Sequence, residues 1–210
     1  MTLAGAHIGV DFDNTLIRYD QVFCDVGRAR GLLPADFCGD KRAVRAYVQA
    51  QPGGQPQWTA LQAAVYGPGV ADAKPADGAA AFLRVCRQAG IPVAIVSHKT
   101  EYAAADPGGV NLRDMARAWI IRHGLTDPEQ GGVNSAAVFF EDTRAAKIAR
   151  IKALGCTHFI DDLEEVFREP EFPADVRRYL LLLGADALPQ GPFRAFRAWP
   201  DIADDIFGCS

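Results

Sequence analysis

Five short apolar runs, separated by stretches of helical patterning, restrict the fold of this chain more than any other feature. They are His7–Phe12 (HIGVDF), Ile91–Ser97 (IPVAIVS), Ala136–Glu141 (AAVFFE), Thr157–Asp161 (THFID) and Tyr179–Leu183 (YLLLL). Near-continuous apolar strands suit a sheet covered on both faces. The intervening segments read as helices. Asp77 is placed to cap one that turns Phe82, Val85 and Cys86 inward and stops at Gly90. Asn111 is placed to cap a second, in which Leu112, Met115, Ala116, Trp119 and Ile120 recur at helical spacing before Gly124. A third runs from about Thr143 to Leu154 and stops at Gly155. Strand–helix alternation with short links predicts an α/β fold, a doubly wound, Rossmann-like parallel sheet of five core strands.

Residues 20–66 break that alternation. They offer helical patterns at about 21–31, 40–50 and 57–66, interrupted by QPGGQPQ, and GPGVADAKPADG (67–78) leads back into the α/β pattern. The expected layout is an α/β core of residues 1–17 and 77–210, with a small helical insertion and its linkers at 18–76. An insertion at that point follows the C-terminal end of the first strand, the edge at which open α/β sheets bind ligands. Trp58 and Tyr66 fall in the insertion, either in its core or facing a ligand.

Bulk properties exclude several classes. The 210 residues are 49% hydrophobic and 23% charged, ordinary for a globular chain with a proper core. A formal net charge of −4 offers nothing to nucleic acid or to an anionic membrane, so any anion site must be built locally. Five scattered cysteines, an odd number with no C-x-x-C pair, argue against a disulfide framework or a zinc site. No signal-peptide pattern and no apolar run near the ~20 residues of a membrane span are evident. The expectation is a cytoplasmic protein with reduced thiols; its oligomeric state is open.

The polar residues at the strand ends carry the chemistry. Asp11 and Asp13 close the first run, Ser97 the second, and Asp161 and Asp162 the fourth, while Lys147 lies early in the helix after the third. Parallel strands bring all these ends to one edge of the sheet. Carboxylates gathered there repel one another, at about 4 kcal/mol per pair 4 Å apart in an effective dielectric of about 20. Such a cluster calls for a cation or a shared proton. Oxygen ligands without His or Cys point to Mg²⁺, which binds one or two carboxylates together with substrate phosphate.

D-F-D-N-T, then Ser97, then Lys147, then FIDD resembles, in order, the four motifs of the haloacid dehalogenase (HAD) superfamily of phosphotransferases. DFDNTLIRYD, VSHKT and ALGCTHFIDDLEEVF are also similar to a group of bacterial members. The resemblance covers the α/β part, and it implies that the insertion is a C1-type cap. It implies that Asp11 is the nucleophile that takes up the phosphoryl group, and that Asp13 is the acid that protonates the leaving alkoxide and then the base that activates water. Ser97 and Lys147 would hold the phosphoryl group, with Asn14 and His98 beside them. Asp11, Asp13, Asp161 and Asp162 would form the Mg²⁺ set, with Asp162 the direct ligand and Asp161 behind it. Lys147 is favoured over Lys152, which lies about 7.5 Å further along the helix at 1.5 Å per residue. The family more often has Gly where this chain has Asn14, and Asn is the residue that best replaces Gly in a left-handed turn.

Asp13 also selects among reactions. Dehalogenases of the family lack an acid there, so Asp13 implies phosphomonoester hydrolysis or phosphomutase chemistry; a non-catalytic ligand-binding protein on the same fold is the remaining alternative. The expected partner is a small phosphorylated metabolite such as a sugar phosphate or nucleotide. Substrate choice is expected at Arg18 and Tyr19, at the hinge into the insertion, and in the long connection HKTEYAAADPGGV (98–110). There Lys99, Tyr102 and His98 either reach a substrate or pack the loop.

Overall fold

The structure is a computed structural model and describes residues 3, 5–106, 108–184 and 187–208. In chain order its elements are β1 (Ile8–Val10), β2 (Ile17–Arg18), α1 (Asp20–Ala29), α2 (Lys41–Gln49) and α3 (Gly54–Tyr66). There follow β3 (Lys74–Pro75), α4 (Ala79–Gln88), β4 (Val93–His98), α5 (Leu112–Arg122), β5 (Val138–Glu141) and α6 (Arg144–Ala153). The chain ends with β6 (His158–Asp161), α7 (Glu164–Arg168), β7 (Arg177–Leu181), β8 (Arg194–Phe196) and α8 (Trp199–Phe207). Two compact units divide them: Met1–Ile17 with Pro75–Lys99 and Ile120–Ser210, and Arg18–Lys74 with Thr100–Trp119.

The first unit is a six-stranded sheet, order β5-β4-β1-β6-β7-β8, with every pairing parallel. The five expected strands are all present, and β8 is a sixth. It escapes the sequence reading because it has three residues, none of them buried, at the edge of the sheet. An edge strand has one neighbour and carries a weaker apolar signature. One face of the sheet is a core of Ala94, Val96, Phe159 and Leu180, packed with Ile148 and Ile151 of α6 and Val166 and Phe167 of α7. Side chains alternate along a strand, so Tyr179 lies on the opposite face from Leu180. There its ring stacks on Phe196, with centroids 5.7 Å apart. Arg194 of β8 pairs with Asp205 of α8, and Trp199 of α8 packs on Phe82 of α4 at 4.9 Å. Both faces are therefore covered, as near-continuous apolar strands require.

Helix boundaries follow local chemistry. The Asn111 side chain accepts from the N–H groups of Arg113 and Asp114, and the Thr143 side chain accepts from Ala146. Asp77 does not cap α4 as expected; Gly78 occupies that position with φ 87° and no side-chain cap. The left-handed backbone there suits glycine, and the helix starts one residue later than an Asp77 cap would set it.

The second unit contains α1, α2, α3 and a 3₁₀ turn at Pro68–Asp72, together with residues 100–119, which the sequence pattern assigns to the α/β core. Its interior is aromatic. Phe23 stacks on Trp58 at 5.2 Å, Tyr19 meets Tyr66 edge-on at 4.9 Å, and Trp119 Nε1 donates to the Ala73 carbonyl at 2.9 Å. Trp58 is thus a core residue. Among the described residues no helix is long and apolar enough to cross a membrane. Cys24, Cys38, Cys86 and Cys156 are free thiols; Cys209 lies outside the described residues.

Gly9 lies at the middle of β1, against the Phe159 ring. A Cβ there would overlap that ring and lie 3.0 Å from Cys156 Sγ. Overpacking of a dense core costs about 1–3 kcal/mol. Gly9→Ala is therefore expected to lower stability by that amount, read as a shift in the urea denaturation midpoint at unchanged slope.

Candidate active site

β1 lies between β4 and β6, with Val10 opposite Ile95 on one side and Ile160 on the other. The ladder continues one step, since the Asp11 N–H donates to the Ile160 carbonyl at 2.8 Å. This places Asp11 beside Asp161 at the C-terminal edge. The chain then turns sharply, with Leu16 N–H returning to the Phe12 carbonyl at 3.0 Å. Asn14 has φ 58° and is the single non-glycine described residue with a left-handed backbone. Asn tolerates that conformation better than most side chains. Its side-chain amide donates to Asp162 Oδ2 at 3.3 Å, which ties the turn to the end of β6.

Lys147 enters from the second turn of α6. Its ammonium donates to Asp11 Oδ1 at 2.6 Å and to Asp161 Oδ2 at 2.7 Å, with all three side chains at most 5% exposed. The other oxygen of Asp161 accepts the Leu163 N–H at 3.0 Å. Burial alone would make the ammonium easier to deprotonate, but the two carboxylates outweigh it and its pKa is raised. Burial pushes the Asp11 carboxyl up to about 6; Lys147 opposes that rise, while Asp161 and Asp13 add to it. Arg144 instead pairs with Glu169 at 2.6 Å, and Lys152 is exposed.

Asp11, Asp161 and Asp162 each offer a carboxylate oxygen, all within 4.8 Å of one another. Three carboxylates against one ammonium leave an excess of negative charge in a mostly buried place. That all-oxygen donor set fits a hard divalent cation such as Mg²⁺. Asp13, expected among the ligands, is not part of this group. Its carboxylate turns to a different partner, Lys99 Nζ at 2.8 Å, with side chains 22% and 4% exposed.

Lys99, for which the sequence allows either loop packing or substrate contact, pairs with Asp13 instead. It directly follows β4, its N–H donates to the Glu141 carbonyl at 2.9 Å, and its ammonium stands 5.7 Å from the centre of the Phe12 ring. The available signal was its spacing: Ser97 and Lys99 are two apart, the period of an extended chain. Ser97 is buried at the end of β4. His98 is exposed, and its Nε2 meets the Asp142 carbonyl at 3.0 Å. In the second unit Arg18 pairs with Asp20 at 2.7 Å and Tyr102 is 41% exposed, whereas Tyr19 is wholly buried against Tyr66. A side chain committed to the core does not present itself to a ligand, so substrate contact is not supported for Tyr19.

The raised Asp11 pKa makes the folded protein bind that proton more tightly than the unfolded chain does. Its contribution to stability is present at low pH and is lost as pH rises from 3.8 through about 6. Asp11→Asn removes this carboxyl. Without divalent cations, the stability of the variant relative to the parent is expected to increase between pH 4 and neutral pH, as measured by urea denaturation across the range.

No known protein-family profile matches the chain, and no curated protein matches it. Solved structures do. An HAD-family hydrolase from Deinococcus radiodurans R1, solved with bound phosphate and sodium, is 18% identical, with a TM-score of 0.56 over 96% of this chain and 95% of that one. An HAD-superfamily hydrolase of subfamily IA from Geobacter sulfurreducens PCA is 13% identical, with a TM-score of 0.56 over 96% of each chain. An HAD-superfamily hydrolase from Ehrlichia chaffeensis is 15% identical, with a TM-score of 0.54 over 96% of each chain. The six-stranded parallel sheet with flanking helices is an α/β, Rossmann-like fold similar to that of these HAD-superfamily structures.

Proposed function

We propose that this chain is a Mg²⁺-dependent phosphomonoester hydrolase that forms an aspartyl-phosphate on Asp11 and acts on a small phosphorylated metabolite. The observation that carries this is the pairing of the two carboxylates of one D-x-D segment with two different buried lysines, Asp11 with Lys147 and Asp13 with Lys99. Two acidic groups so close in sequence and so differently partnered suit two different tasks. The phosphate held by the Deinococcus radiodurans hydrolase of the same fold supports an anionic substrate.

In the first step an Asp11 oxygen attacks phosphorus and the ester P–O bond breaks. Its electron pair leaves with the alkoxide, which Asp13 protonates. In the second step Asp13 takes a proton from water, the water oxygen attacks phosphorus, and the bond to Asp11 breaks to restore the carboxylate and release phosphate. Lys147 balances charge on Asp11, and Ser97, Asn14 and His98 are the further residues assigned to the phosphoryl group. Asp11, Asp161 and Asp162 would hold Mg²⁺, which supplies Lewis-acid charge at the phosphoryl oxygens. Asp162 is assigned as the direct ligand, with Asp161 behind it, held by the Lys147 ammonium and the Leu163 N–H. Residues 18–76 serve as a C1-type cap in which substrate choice lies, with Arg18 and, outside that segment, Tyr102 the accessible candidates. Free thiols at Cys24, Cys38, Cys86 and Cys156 fit a cytoplasmic enzyme.

The test is release of p-nitrophenol from p-nitrophenyl phosphate with Mg²⁺ and with chelator. Activity is expected only with the metal and is expected to vanish in Asp11→Asn. Asp13→Ala is expected to keep substrate binding while kcat falls by about 10²-fold or more, the scale of general acid–base catalysis. Equal rates for parent and Asp11→Asn would overturn the assignment.

A further inference from the structure

The site contains four carboxylates and two ammonium groups that divide them unequally. Lys147 holds Asp11 and Asp161, and those two form the cation-binding group with Asp162. Asp13 is two residues from Asp11 yet outside that group, and its carboxylate is turned to Lys99. We propose that Lys99 is a positioning residue, whose buried ammonium keeps the Asp13 carboxylate apart from the cation-binding carboxylates and aimed where a leaving oxygen must receive its proton. This rests on the hydrolase reading above and deepens it.

Three observations carry the inference. First, Lys99 is anchored at both ends: its backbone N–H donates to the Glu141 carbonyl at 2.9 Å, and its ammonium meets Asp13 Oδ2 at 2.8 Å. Secondly, the side chain is 4% exposed, so its charge is withdrawn from water, and a desolvated ammonium is tolerated only against a partner of opposite charge. Thirdly, Asp13 keeps 22% exposure and so stays reachable by a substrate oxygen, whereas Asp161 is wholly buried. Without Lys99, Asp13 is drawn to any cation bound by its neighbours. A carboxylate that ligates a cation cannot also deliver a proton. Misplacement of a reacting group by about 1 Å is enough to cost about 10²-fold.

The experiment compares the parent, Lys99→Met and Lys99→Arg on p-nitrophenyl phosphate and on glycerol 2-phosphate. p-Nitrophenolate leaves without a proton, whereas an alkoxide needs one. Lys99→Met is expected to lose about 10²-fold in kcat on the alkyl ester, the scale of general acid–base catalysis, and far less in the single-turnover release of p-nitrophenolate, which precedes the step that needs Asp13 as base, with KM little changed on either ester. Lys99→Arg, which keeps a charge for Asp13, is expected to recover most of the loss on the alkyl ester. In an Asp13→Asn background, Lys99→Met is expected to cost nothing further, because the two residues act as one unit. Equal losses in alkyl-ester kcat and in single-turnover p-nitrophenolate release, or a raised KM with unchanged kcat, would overturn the inference; the latter would make Lys99 a phosphate-binding group instead. If the parent hydrolyses neither ester, the hydrolase reading fails, and a crystal structure of Lys99→Met still decides the positioning claim. Asp13 is expected to shift by about 1 Å or more, and an unmoved carboxylate refutes it.

Discussion

The ammonium of Lys147 between Asp11 and Asp161 is the interaction on which the architecture of this site depends. It joins β1, β6 and α6 at one point, through groups almost completely withdrawn from water. Two carboxylates that close repel each other unless a cation intervenes, and a buried ammonium is costly unless carboxylates surround it. Each charge is tolerable only because the others are present. The same constraint explains why the Asp11 pKa is still raised: one ammonium does not compensate both burial and two further carboxylates. The residual negative charge is what makes the place suitable for a divalent cation.

The sheet supplies the geometry that this charge balance requires. Parallel pairing of β1 with β4 and β6 brings the ends of three strands together, and every polar group at that edge arrives by continuing a strand or beginning a helix. Thr143 fixes the start of α6 through its bond to the Ala146 N–H, which sets where Lys147 enters. Asn14 takes the left-handed conformation that the turn after Asp13 needs and also ties that turn to Asp162. The core packs closely beneath these positions, with Phe159 filling the space above Gly9 and standing 5.4 Å from the Lys147 ammonium.

Much of this was legible in the residues themselves. The strands are apolar for most of their length because helices cover both faces, so β1, β4, β6 and β7 stand out as runs, and so does β5 although it lies at one edge of the sheet. The edge strand β8 is short and half wet, and it does not. Asn111 and Thr143 announce helix starts because a short polar side chain before an apolar pattern has few other uses. Asp77 sends the same signal falsely, since Gly78 took the position instead. That Asp11, Asp161 and Lys147 meet was legible because parallel strands bring their C-terminal ends, and the starts of the helices that follow, to one edge.

Side-chain partnership was not legible. Asp13 and Lys99 are distant in the chain, and nothing local states that they meet; likewise nothing near Tyr19 states that Tyr66 buries it. By itself the sequence determined five of the six sheet strands, several helix limits and the set of acidic and basic residues delivered to one edge, because periodicity and turn chemistry act over a few neighbours. Only the tertiary structure decided which lysine serves which aspartate, and that Asp13 lies outside the cation-binding group. Those choices depend on distances between separate strands and on the burial that makes an unpaired charge intolerable.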